Sequence, residues 1–213
     1  MSLRDFAVVL GCVLLTSCGA DGPGADSPEP EAAADRAAPH AGSAARDTAM
    51  QRPSGEPPDA GLLTPDGWGP LRIGMSRAEV VTAAGDDAHP AAVGGPDPER
   101  CDEFRPARAP TGILVMIERG VLTRISVSRN RDIATAEGLR VGDTGAAVEA
   151  AYADRARIEP HPYQAPPARY VTVWQDTAPG MARRGLRYEI DAAGVVIHLR
   201  AGGPSIENRE GCV

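Results

Sequence analysis

The sequence predicts an α+β domain made of two tandem repeats, each a short helical segment packed on an antiparallel sheet. Two observations predict it. The first is an internal echo: Gly69-Pro70-Leu71-Arg72-Ile73-Gly74-Met75-Ser76 is answered by Glu137-Gly138-Leu139-Arg140-Val141-Gly142-Asp143-Thr144, at a constant offset of 68 residues. The second is a change of hydrophobic period after each copy, from helical spacing to strict alternation. A helix followed by hairpins, twice over, is an α+β arrangement.

In the first copy Ser76 stands at the N-cap position with Glu79 three residues on, a capping box. The helix then carries Ala78, Val80, Val81 and Ala84, and Gly85 ends it. In the second copy Thr144 takes the cap, and Ala147, Val148, Ala151 and Tyr152 form the apolar stripe. Ala147 replaces the glutamate, so the second box is incomplete. Ile113–Ile117 is a continuous apolar run, expected to be a central strand, and Glu118-Arg119-Gly120 turns the chain into Thr123, Ile125 and Val127. The second copy gives Tyr170–Trp174, then Leu186, Tyr188 and Ile190, a turn at Asp191–Gly194, and Val195, Ile197 and Leu199. The alternating polar residues, among them Arg124, Arg187, Glu189 and His198, are expected to face water. The repeats divide at about 62–130 and 131–213.

Residues 69–80, Gly-Pro-Leu-Arg-Ile-Gly-Met-Ser-Arg-Ala-Glu-Val, resemble the opening of the β-lactamase-inhibitor-protein-like or SmpA/OmlA-like fold, and so do residues 138–144. The resemblance spans about 62–213. It implies a short helical segment on an antiparallel sheet, in tandem as in the inhibitor proteins. The small outer-membrane assembly lipoproteins carry one such unit behind a lipidated cysteine. The resemblance marks a fold and brings no catalytic residue.

The N-terminus supplies an address. Phe6–Leu15 is an apolar run too short to span a bilayer, which takes about 20 residues, and of the length of a signal-peptide core. It closes on Leu15-Thr16-Ser17-Cys18, a lipobox, which makes 1–17 a lipoprotein signal peptide and Cys18 the lipidated first residue. The alternative is an ordinary secretory signal cleaved after Ala20. Acyl chains buried at roughly 0.8 kcal/mol per CH₂ anchor firmly when more than one is attached. Gly19 after the cysteine favours the outer membrane in a host that has one. Residues 18–61 follow as a disordered Ala/Pro/acidic tether with no aromatic residue and no apolar periodicity.

The charge balance excludes some partners. The chain has no lysine and a net charge of −7; the tether holds eight acids against three Arg. A mildly acidic domain argues against nucleic acid, whose binding rests on cationic contacts to phosphate, and against electrostatic adhesion to anionic lipid. Of four cysteines, Cys12 leaves with the signal and Cys18 takes lipid, which leaves Cys101 and Cys212. An even pair in an exported chain reads as a disulfide. A reactive thiol or metal ligand is the alternative, but neither has a second Cys or a His at ligand spacing. One Cys falls in each half, so the bridge joins the halves.

No motif carries chemistry. His40, His89, His161 and His198 read as isolated surface imidazoles, and no metal, cofactor or catalytic residue is assigned. Asp86-Asp87 and Asp97–Arg100 lack calcium-loop spacing. The candidate binding surface is Trp68, at a glycine-rich entry, with Tyr163, Arg169 and Tyr170 around a Pro-rich loop, since exposed Tyr and Arg are enriched at interface hot spots. The expected function is a non-catalytic, protein-binding lipoprotein of the cell envelope with an envelope protein as partner. The alternatives are an inhibitor of a secreted or periplasmic hydrolase and an enzyme of unrecognised type.

Overall fold

Both helices begin where a side-chain oxygen meets backbone N–H groups that have no partner in the helix. Ser76 Oγ accepts from the Glu79 N–H, and the Glu79 carboxylate accepts from the Ser76 N–H at 2.7 Å, so the capping box is complete. It starts α1 (Arg77–Ala84), which buries Val80 and Ala84 and stops at Gly85. Thr144 Oγ1 accepts from the Ala147 N–H at 3.2 Å and starts α2 (Gly145–Tyr152). That helix buries Gly145, Val148 and Tyr152; Ala147 and Ala151, expected in its stripe, are exposed. Ser76→Ala is expected to lower stability by about 1 kcal/mol in urea denaturation. A variant as stable as the parent would show that the cap does not carry α1.

The computed structural model describes residues 61–175 and 182–212. The signal segment 1–17, the lipidation site Cys18 and the tether as far as residue 60 lie outside the described residues. The strands are β1 (Gly67–Trp68), β2 (Leu71–Arg72), β3 (Cys101–Phe104), β4 (Ile113–Glu118), β5 (Val121–Ser128), β6 (Ala156–Pro160), β7 (Arg169–Trp174), β8 (Gly185–Ile190) and β9 (Val196–Gly202). The first two pair with each other; the other seven form one sheet in the order β3-β4-β5-β9-β8-β7-β6, with every pair antiparallel. The architecture is α+β and mostly sheet. The turn at Glu118-Arg119-Gly120 joins β4 to β5, with φ of 50° at Arg119 and 78° at Gly120, the left-handed pair a two-residue hairpin favours.

Strands from the two halves of the chain meet at β5 and β9. The same local device precedes each helix. Gly74 N–H donates to the Leu122 carbonyl and Leu122 N–H to the Met75 carbonyl; Gly142 N–H donates to the Val196 carbonyl and Val196 N–H to the Asp143 carbonyl. Gly74 and Gly142 lie 68 residues apart with φ of 102° and 99°, a region that a side chain disfavours. One face of the sheet, with Val115, Ile125, Leu199, Tyr188 and Val171, forms the core with Val80, Ala84 and Val148 of the helices.

Two expectations are corrected. Val195, Ile197 and Leu199 do not share one face, because a bulge at Glu189/Ile190 pairs Ile190 with Val196 and Glu189 with His198. Val196 and Leu199 therefore point into the core, and Ile197 is the extra residue. The alternating polar residues of β5, β8 and β9 also do not face water: Arg124, Arg187, Glu189 and Arg200 are buried.

Candidate functional site: the charged face of the sheet

The face away from the helices is built in rows that follow from strand register. One row runs Arg157, Thr172, Arg187, Arg200, Ser126 across β6, β7, β8, β9 and β5; the next runs Glu159, Tyr170, Glu189, His198, Ser128. Two arginines directly opposite each other repel unless acids sit beside them. The second row supplies those acids. Arg187 Nη1 donates to Glu159 and to Thr172 Oγ1, at 2.9 and 2.6 Å, and Arg200 Nη2 donates to Glu189 at 2.7 Å. The Arg187 guanidinium also lies 4.1 Å from the Tyr170 ring centroid, a cation–π contact. Beyond these rows, Arg124 pairs with Glu103 and donates to the Ser205 and Asn208 carbonyls.

Glu189 is the hub. His161 Nε2 stands 3.5 Å from one of its oxygens, and His198 Nδ1 stands 3.5 Å from the other, at the limit of hydrogen bonding. Burial pushes the Glu189 carboxyl up, but His198, Arg200 and His161 outweigh it and hold it at about 2. Glu159 is also held below the usual range, chiefly by its bond from Arg187. Burial lowers Arg124 despite the Glu103 charge beside it. On the other face Tyr152 OH donates to Glu137 and shares a hydrogen bond with Tyr188 OH, and burial pushes Tyr188 up to about 12.

His161 and His198 are therefore not isolated surface imidazoles, because the fold brings both to one carboxylate. The His161 ring is buried, stacked on Tyr170 at 5.0 Å, and its Nδ1 accepts from the Tyr163 N–H. That bond leaves the ring proton on Nε2, facing Glu189. His198 is half-exposed. His89 is exposed, and His40 lies outside the described residues. No group of three or more His, Cys, Asp or Glu is placed to hold a metal among the described residues.

A cleft of about 1070 Å³ opens over this face. Arg100, Arg119 and Arg187 line it together with Glu118, Glu159 and Glu210, and Tyr163 stands at it, 67% exposed. Of the four candidate surface residues, only Tyr163 lines the cleft. Tyr170 is buried against His161 and Arg187, a correction to its expected exposure. Arg169 reaches toward the helices and pairs with Glu149 of α2, and Trp68 packs half-buried against the core. Cys101 and Cys212 are joined by a disulfide, with Cα atoms 5.5 Å apart, and both line the cleft. Alternation places the arginines on one side of the sheet; their acid partners lie 11 to 28 residues away and leave no local signal.

No protein-family model, no curated protein and no solved structure matches the chain.

Proposed function

We propose that this chain is a lipid-anchored, non-catalytic protein-binding module of the cell envelope, acting as an assembly or accessory factor. The observation that carries the reading is the charged cleft. The Arg187–Glu159 pair held in its lining, with an exposed tyrosine at the rim, offers directional contacts at little cost in side-chain ordering. The lipobox at Cys18 and the acidic tether support an anchored domain held off the membrane. The finer fold reading is two tandem copies of one unit, of the β-lactamase-inhibitor-protein-like or SmpA/OmlA-like kind. The 68-residue echo, the matched caps and the matched Gly74 and Gly142 bonds support it.

In-cell crosslinking of the full lipoprotein with mass spectrometry tests the function. One dominant envelope protein is expected, lost in Cys18→Ala and recovered about fivefold less with Tyr163→Ala, the effect of a contact worth about 1 kcal/mol. Recovery of no partner from the anchored form overturns the reading. An enzyme of unrecognised type is favoured by one observation, the half-exposed His198 ring backed by Glu189, an arrangement suited to a general base. An activity abolished by His198→Ala supports that reading.

A further inference from the structure

The C-terminal segment is built in two parts of different firmness. Residues Pro204–Glu207 form a 3₁₀ turn on the charged face. Ile206 there is fully buried, Ser205 Oγ donates to the Thr123 carbonyl, and Gly203 N–H donates to the same carbonyl. Residues 208–212 have no regular structure, and Asn208, Arg209 and Glu210 are exposed. Beyond the turn, Arg124 donates to the Asn208 carbonyl at 2.9 Å and Tyr163 OH donates to Glu210. The one buried side chain of this stretch is Cys212, bonded to Cys101.

This tail forms one wall of the cleft, from Asn208 to Cys212. It lies directly on the sheet: a Cβ at Gly211 would stand 2.2 Å from a Glu103 oxygen, and Glu103 is the partner of the buried Arg124. The bridge also holds the loop at Gly95, where a Cβ would stand 2.9 Å from Cys212 Cβ. One covalent bond thus closes a segment that is otherwise weakly held over a buried ion pair. Segments with few buried contacts open at low free energy once released.

We propose that residues 208–212 are a redox-latched wall of the cleft that covers the Arg124–Glu103 pair beside it. Reduction of Cys101–Cys212 frees the tail at Asn208, leaves the 3₁₀ turn in place, and uncovers the Arg124–Glu103 pair as added binding surface. The reductant is a dithiol. Its thiolate attacks one sulfur of the bridge, the other sulfur leaves as a thiolate and takes a proton, and the second thiol of the reductant resolves the mixed disulfide. Two electrons pass; the dithiol becomes a disulfide and both cysteines become thiols. Both cysteines line the open cleft and Cys101 is half-buried, which gives a thiol access. The binding consequence rests on the reading of the cleft as the partner surface.

Heteronuclear NOE measurements on the Cys18→Ala protein, oxidised and dithiothreitol-reduced, test the latch. On reduction the values at 209–212 are expected to fall to those of a flexible terminus, while 203–207, β8 and β9 keep theirs. Cys101→Ser is expected to match the reduced form without reductant. A reduced tail as rigid as the oxidised one overturns the latch, and so does global loss of the folded spectrum, which would make the bond a staple of the whole fold. Crosslinking of the anchored Cys101→Ser/Cys212→Ser form then tests regulation. A rise of about fivefold or more in partner recovery over the parent is expected; equal or lower recovery overturns the regulatory role. Absence of a partner in both forms defeats the binding reading, and the NOE result then decides the latch alone.

Discussion

Glu189→Ala is expected to destabilise the domain by about 3–5 kcal/mol, the usual cost of leaving a buried charge without its partner. Arg200 loses its 2.7 Å acceptor, and His161 and His198 lose the carboxylate between them. Glu189→Gln keeps the volume and part of the hydrogen bonding, so its cost is smaller. The two variants also separate packing from charge through pH. A carboxyl held at about 2 in the fold, against a usual 4.5, contributes stability that is full above 4.5 and is lost as pH falls through 2. The shift corresponds to about 3 kcal/mol. The parent is therefore expected to lose stability between pH 4.5 and 2 more steeply than Glu189→Gln. Urea denaturation at stepped pH measures both slopes, and parallel slopes would show that Glu189 is not the hub of the charged face.

The same network shows where sequence reasoning stopped. The caps at Ser76 and Thr144 and the hairpin at Arg119-Gly120 are written within a few residues, and each was legible. The edge strands β3 and β6 were not. Cys-Asp-Glu-Phe and Ala-Arg-Ile-Glu-Pro are short and charged, as strands at an exposed edge tend to be. The phase of β9 was missed because a bulge adds a residue that alternation cannot anticipate. The largest miss was the second face of the sheet. Alternation correctly separates Arg187 from Leu186 and Tyr188, but which side meets solvent depends on what packs there. The 3₁₀ turn, the tail and the His161 loop supply that cover, and all three arrive from elsewhere in the chain.

That cover gives the charged face an unusual balance. Arg124, Arg187 and Arg200 are nearly fully removed from water, and Glu103, Glu159 and Glu189 neutralise them one for one. In the proposed binding role such a neutral array offers a partner no net charge, and swapping one pair for apolar residues of equal volume is often neutral for stability. Tyr163, exposed and outside the paired network, meets the tail at Glu210 through its hydroxyl and is the side chain that best reports that role.

Removing the disulfide tests how the tail contributes to stability. The bond spans 111 residues, and in the chain-entropy model a loop of that size is worth about 4–5 kcal/mol through the unfolded state. The full value applies only when the native state is the same with and without the bond. A tail that leaves the surface on reduction gains freedom in the native state as well, which offsets part of the loss: a tenfold preference for the released tail returns about 1.4 kcal/mol. Cys101→Ser and reduction of the parent are therefore both expected to lower stability by about 3 kcal/mol in urea, short of the full value. Tail truncation after Asn208 separates the two contributions. Applied to the reduced protein it is expected to change stability little, because the tail is already free. A loss of several kcal/mol on truncation would mean that residues 209–212 stay docked without the bond, and the cover would then be part of the fold and not its latch.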